Sequence, residues 1–199
     1  METIKVNKES LLDAYRNSGS EARDVLVNLF PEMDFRKSLP VMERVKTWDD
    51  VVRELGYDPV ERLLDHTELG DGFQIEPDEI AYIKLKAIAT VLNEGWTPKF
   101  VKGEWRWFPW FYLYTQEEID KMTPEKRSRV VLRSFNYAYA GGGVAFASAC
   151  NDSSVANTYY GSRLAFKSEE LAVYAGKQFT DIWADFVFRA NTKSAGAEK

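Results

Sequence analysis

Cysteine is almost missing from this chain: Cys150 stands alone among 199 residues. A single thiol forms no intrachain disulfide and no multi-cysteine zinc site. Histidine is as scarce, with His66 the only one, so a His-assisted Ser or Cys nucleophile would have to draw on that position alone. Lysine and arginine (26) fall short of aspartate and glutamate (31), for a net charge of −5 and a pI near 5.1. Without a basic footprint, nucleic acid is not an expected partner. No apolar run is long enough for a membrane span and the first residues show no signal-peptide pattern, so no membrane partner is expected either. The phosphate-cradling G-x-x-x-x-G-K-[ST], the dinucleotide G-x-G-x-x-G and the nucleophile motif G-x-S-x-G are all missing, and with them three common routes to catalysis.

Aromatic residues, in contrast, are plentiful. They make up 14% of the chain, with six Trp, ten Tyr and twelve Phe, inside a hydrophobic total of 45%. That composition suits one globular domain, or one domain with a small appendage. Leu11, Leu12, Tyr15, Val25, Leu26 and Leu29 recur at helical spacing over residues 9–30, interrupted at Ser18-Gly19-Ser20 and closed by Pro31. Thr47 and Gly56 bracket a helix from Trp48 to Leu55 with Asp49 and Asp50 in its first turn. Asp58-Pro59 restarts a short helix that buries Val60, Leu63 and Leu64 and ends near Thr67, with a loop at Gly70–Gln74. Pro77 opens the strongest helical pattern, Asp78 to Asn93, with Ile80, Ile83, Ala87, Ile88, Val91 and Leu92 on its apolar face.

Beyond Gly95 the character changes, because Trp96–Tyr114 holds four of the six tryptophans. Strand alternation places neighbouring side chains on opposite faces, so Trp105, Trp107, Phe108, Trp110, Phe111 and Tyr112 cannot all point inward. The bland reading makes them core; the functional one makes Trp105, Trp107, Trp110 and Tyr112 an aromatic surface. Arg106 is placed to stack on one of these rings. Short polar helical turns follow at Gln116–Lys121 and after Thr123-Pro124. Ser168 caps a final amphipathic helix lined by Leu171, Ala175, Phe179, Ile182, Trp183 and Phe186, before a polar tail from Ala190.

Between them, Arg129–Phe166 reads as short antiparallel strands joined by tight turns. It comprises Val130-Val131-Leu132, a polar-aromatic segment, a Gly141-Gly142-Gly143 hairpin or bulge, an apolar strand Val144–Ala149, a polar loop Asn151–Asn157 and a closing strand Arg163-Leu164-Ala165-Phe166. Leu132-Arg133-Ser134-Phe135-Asn136, the Asn-rich loop and Gly161-Ser162-Arg163-Leu164 together resemble the end of a C-type-lectin-like domain. The branch is the one shared by formylglycine-generating-enzyme-like proteins and the variable proteins of diversity-generating retroelements. Phe108-Pro109-Trp110 matches an upstream feature of that family, so the likeness spans roughly residues 80–166. Ser134-Phe135 stands where the family has Gly-Gly. As a whole the chain also resembles proteins of gut bacteria and their phages, a likeness that implies no activity.

The resemblance implies ligand contacts from the polar-aromatic set Asn136, Tyr137, Tyr139, Asn151, Asp152, Ser153, Ser154, Asn157, Tyr159 and Tyr160. Tyr, Ser and Asn also suit recognition physically, since Tyr gives contact area at low entropy cost and Ser and Asn adapt their hydrogen bonds. The competing reading is a set of solvated hairpins. The formylglycine reaction uses a cysteine pair to hold copper, which Cys150 alone does not supply. Lectin-like domains use Asn-Asp pairs for calcium, but Asn151-Asp152-Ser153-Ser154 is also ordinary turn chemistry, so neither metal nor cofactor is expected.

The expected fold is therefore α+β: a helical N-terminal region (1–75) packed on a small antiparallel-sheet, C-type-lectin-like module with a C-terminal amphipathic helix (76–189), then a flexible tail (190–199). The expected function is a non-enzymatic binding protein, of phage origin in one reading, cytoplasmic or virion-associated, presenting its Tyr/Asn/Ser surface to a protein or glycan ligand. The alternative is an assembly protein, of a phage particle or a homo-oligomer, that uses the aromatic stretch and C-terminal helix as interfaces; exposed Trp183 and Phe186 would favour it. An enzyme built on Glu104, Asp120 and Asp152 is the third and weakest reading.

Overall fold

The computed structural model describes residues 5–66, 75–99, 101–134, 141–153 and 162–187. Its chain contacts divide it into two compact units, Met1–Val45 and Lys46–Lys199. This division assigns the two helices that follow Val45 to the larger unit, whereas the sequence reading grouped them with the N-terminal region.

In the smaller unit α1 (Lys8–Arg16) and α2 (Ser20–Leu29) are two helices, separated where Ser18-Gly19 interrupts the pattern. The Asn7 side chain accepts the Glu9 and Ser10 N–H groups and so caps α1. Tyr15 stacks on Phe35 at 5.0 Å, with the Arg23 guanidinium 5.2 Å from the Tyr15 ring. Arg23 also donates to the Tyr15 and Arg16 carbonyls, which ties the two helices at their junction. One turn, α3 (Val41–Arg44), follows.

The larger unit is mixed helix and sheet. Its helices begin where local chemistry says they should. In α4 (Trp48–Leu55) the Thr47 hydroxyl accepts Asp50 N–H while Asp50 accepts from Thr47, and Gly56 ends it at φ 78°. Asp58 accepts from Val60 and Glu61 at the start of α5 (Pro59–His66), although Leu64, expected to be buried there, is exposed. In α6 (Pro77–Leu92) Ala81, Leu85, Ile88 and Leu92 form the fully covered stripe. Ile80 and Ile83, at the stripe's margin, are only half-buried. α4, α5 and the last helix all pack on α6.

β1 (Trp105–Thr115), β2 (Val131–Ser134) and β3 (Gly141–Ser153) make one antiparallel sheet in the order β1-β3-β2. α7 (Gln116–Asp120) and α8 (Pro124–Arg127) lie between β1 and β2, capped by Thr115 and Thr123. The final helix is two helices, α9 (Glu169–Gln178) and α10 (Thr180–Val187), broken at Phe179. The Thr180 hydroxyl donates back to the Gly176 and Lys177 carbonyls, a bond that competes with the helix ladder and bends it. Among the described residues no helix is long and apolar enough to cross a membrane.

Three local expectations are corrected. Gly141–Gly143 is the start of β3, paired to β1 on one side and β2 on the other, and not a hairpin turn. Asn151–Ser153 continues that strand where a loop was expected. Ser162–Leu164 is a 3-10 turn, and the expected closing strand is reduced to a single bridge, Phe166 to Trp107. Asn93, just beyond α6, braces this segment. Its Nδ2 donates to the Ala165 carbonyl at 2.8 Å and its Oδ1 accepts Lys167 N–H at 3.0 Å. Those two bonds hold Ala165–Lys167 against the helix end, on the edge opposite to the Phe166–Trp107 bridge. Asn93 is buried, so Asn93→Ala is expected to strand two backbone groups and cost about 2–3 kcal/mol. Chemical denaturation would read this as a lower midpoint at unchanged slope.

Candidate functional site: the aromatic strand β1

Residues 106, 108, 110, 112 and 114 of β1 share one face of the sheet by strand alternation, and 105, 107, 109, 111 and 113 share the other. The second face is the one the C-terminal helices cover. Phe111 packs on Trp183 of α10 at 5.4 Å and meets Phe146 edge-on at 6.0 Å. Pro109 lies against Gly176 of α9. A register shift makes this packing possible. Trp110 faces Ser148 and Phe111 faces Phe146, which leaves Ala147 as an extra residue in β3. A bulge of this kind reverses side-chain parity. Phe146 and Val144 therefore point under the helices, on the same side as Ala149 across the bulge.

The first face is divided along its length. Arg106 and Phe108 are buried. The Arg106 guanidinium lies 3.8 Å from Glu104 and donates to the Lys99 carbonyl. At the far end α7 closes over the sheet: Ile119 is fully buried, and its Cδ1 and the Val130 Cγ1 both approach Gly143. Between these two covered ends the face opens. Trp110 is 39% and Tyr112 56% exposed. The Tyr114 ring sits 6.0 Å from that of Tyr112, which extends the row along the strand. Ser148, opposite Trp110, is exposed too.

The expected aromatic surface is thus split between two faces. Trp110 and Tyr112 form the row just described, while Trp105 (55% exposed) and half-buried Trp107 lie on the opposite face. Trp107 is opposite exposed Asn151 in register, Trp105 opposite Ser153 and Arg106 opposite Asp152. Asn136, Tyr137, Tyr139, Ser154, Asn157, Tyr159 and Tyr160 lie outside the described residues. Tyr114 and Ser148 were missed in the sequence. Tyr114 carried a signal, two positions from Tyr112 on one strand, whereas Ser148 is found only through the bulge.

Two of the three carboxylates considered for catalysis, Glu104 and Asp120, have structural partners. Glu104 accepts Lys99 N–H at 2.7 Å and faces Arg106, and Asp120 accepts from Gln116. Among the described residues no group of three His, Cys, Asp or Glu could hold a metal ion. Glu118 and Glu125 are held below the usual carboxylate range, Glu118 by the backbone N–H and then the hydroxyl of Thr115, Glu125 by its own backbone N–H and then Thr123. Both serve helix caps. Burial, and then the Asp50 carboxylate, push the Tyr174 phenol up. No family model matches the chain, and comparison with curated proteins and with solved structures finds no significant relative.

Proposed function

We propose that this is a non-enzymatic binding protein that receives a protein or glycan ligand on the Trp110–Tyr112–Tyr114 row. The single observation behind this reading is the opening in the sheet face. Two large aromatics stay in solvent on a strand whose neighbours Phe108 and Phe111 are buried. Rigid aromatic side chains with a polar tip are the residues from which binding hot spots are made. The same reading takes the sheet as a reduced C-type-lectin-like module, supported by its long antiparallel β1–β3 pair and by Phe108-Pro109-Trp110 at the centre of that pair. The assembly alternative draws less support. Trp183 of the C-terminal helix is buried within the chain itself and Phe186 is half-buried, its ring 5.9 Å from Tyr82.

The test pairs a Trp110→Ala/Tyr112→Ala variant with wild type in glycan-array and cross-linking capture experiments. A ligand held on this row should lose about 30-fold or more in affinity, the loss of one to two hot-spot side chains, while Tm moves by no more than a few degrees. A wild type that light scattering finds oligomeric, with a monomeric variant, would transfer the row to the assembly reading. Captured ligand that binds both proteins equally would remove the row as the site.

A further inference from the structure

A cavity of about 400 Å³ lies at the C-terminal end of α6, lined among others by Lys86, Thr90, Asn93, Trp96, Thr97 and Arg163. We propose that it binds a small organic anion carrying a planar ring, a site separate from the aromatic row and independent of the reading given to it. Three short pieces of chain build the walls. The last turns of α6 supply Lys86 and Thr90, and Asn93 caps its end. Glu94 at φ 49° and Gly95 at φ 87° then reverse the chain, which returns Trp96–Pro98 along the helix end as the second wall. Arg163 and Ala165 form the third, held in place because Asn93 clamps the backbone on both sides of Phe166. The backbone of the third wall at Ala165 is therefore held before any ligand arrives, which spares binding part of the cost of ordering the site.

Charge decides the sign of the ligand. Lys86 and Arg163 line the cavity and, among the described lining residues, no carboxylate does, in a chain whose net charge is −5. Glu94, next in sequence to the lining residue Asn93, is offset by Lys167 at 3.4 Å. The carbonyl end of α6 opposes an anion with about half a charge, but Asn93 N–H and Glu94 N–H bond back to the last turn and occupy part of it. Arg163, together with Lys86, whose ammonium lies 5.6 Å from the Tyr82 ring one turn back along α6 and can swing to the cavity mouth, outweighs that remainder. Trp96 is half-buried in the wall and offers a flat indole surface on which a ring can stack. A bare phosphate would leave most of the volume empty, and cavities of this size hold small organic ligands.

Calorimetric titration of the whole chain with four probes tests the assignment: 1-naphthoate and 1-naphthyl phosphate (ring and anion), 1-naphthalenemethanol (ring only) and inorganic phosphate (anion only). Both ring anions should bind, with each control at least tenfold weaker. Lys86→Gln and Arg163→Gln should each weaken 1-naphthyl phosphate by about tenfold, the loss of one charge-assisted contact, and Trp96→Leu should weaken the ring probes with little effect on phosphate. Thermal denaturation should show all three variants folded, since Lys86 and Arg163 lie at the surface of their elements and Trp96 is only half-buried and is replaced by another apolar residue. Equal binding of the neutral ring, equal binding of phosphate alone, no binding of any probe at millimolar concentration, or affinities unchanged in the variants would each overturn the proposal.

Discussion

Replacing Gly176 with alanine is expected to lower Tm by about 5–10 °C, although alanine is the better helix former. The residue sits within α9, where the change from glycine should gain about 1 kcal/mol in helix propensity. Packing acts in the other direction. A Cβ at this position would lie 2.5–2.6 Å from the Phe146 ring carbons and 2.9 Å from Pro109 Cβ, closer than carbon atoms approach. Pro109 is held by its ring and by the β1 ladder, and Phe146 is fixed between Phe111 and α9, so neither yields without moving the sheet. Overpacking of this kind costs about 1–3 kcal/mol and sometimes more, and because the clash also separates α9 from the strand pair, about 3–4 kcal/mol is expected here before the propensity gain is subtracted. A net loss of about 2–3 kcal/mol corresponds to the stated shift in a chain of this size. The source can be isolated by a double-mutant cycle. Phe146→Leu removes the ring atoms that the new methyl would strike, so the double variant should be more stable than Gly176→Ala alone. An alanine variant as stable as wild type would mean that α9 does not approach the sheet this closely.

The helices were legible because their signals are local. Thr47 and Gly56, Asp58-Pro59, Pro77, Thr115, Thr123-Pro124 and Ser168 each mark a boundary within a residue or two, and each does so through a hydrogen bond or a dihedral preference that needs no distant partner. The strand region was legible in kind but not in register. Three consecutive glycines signal either a tight turn or a close approach. Gly143 serves the second purpose, because Val130 and Ile119, from elements distant in space until the chain folds, lie over it. Residues 163–166 carry the hydrophobicity of a strand, yet only Phe166 bridges β1, and Asn93, more than seventy positions away, bonds the backbone on the opposite edge. The break at Phe179 had only Thr180 to announce it.

The candidate site shows the same limit. Alternation alone established that the β1 aromatics must divide between two faces, which is how Trp105, Trp107, Trp110 and Tyr112 came to be singled out together. It does not say which face is covered. That follows from where α9, α10 and α7 land, and from a bulge at Ala147 that the sequence around it (Phe146-Ala147-Ser148) does nothing to mark. That Trp110 and Tyr112 share a face with each other and not with Trp105 and Trp107 follows from alternation along β1 itself, a split the grouping of all four left undrawn.

Truncation of Trp183 to alanine should have the largest effect of any single change in the chain, and its contrast with Trp110 tests the division of the aromatics directly. Trp183 is 1% exposed. Its ring contacts Phe111 of β1 at 5.4 Å and Phe186 at 6.2 Å, and Phe186 in turn stacks on Tyr82 of α6. One indole thus joins the sheet, α10 and α6, and removing it leaves a void at the meeting point of three elements that cannot all move inward to fill it. Buried aromatic-to-alanine changes cost about 3–5 kcal/mol, a large share of the 5–15 kcal/mol that holds a domain folded. Tm should fall by about 10 °C or more, with near-ultraviolet circular dichroism losing intensity as the remaining rings lose fixed packing. Trp110→Ala removes a side chain of the same size from a partly exposed site and should cost about 1 kcal/mol, since only its buried portion contributes. If the two variants prove equally unstable, Trp110 is core and the opening on the sheet face closes in solution. If Trp183→Ala alone is crippled, the fold rests on the helix-covered face, and the Trp110–Tyr112–Tyr114 row is left available for recognition.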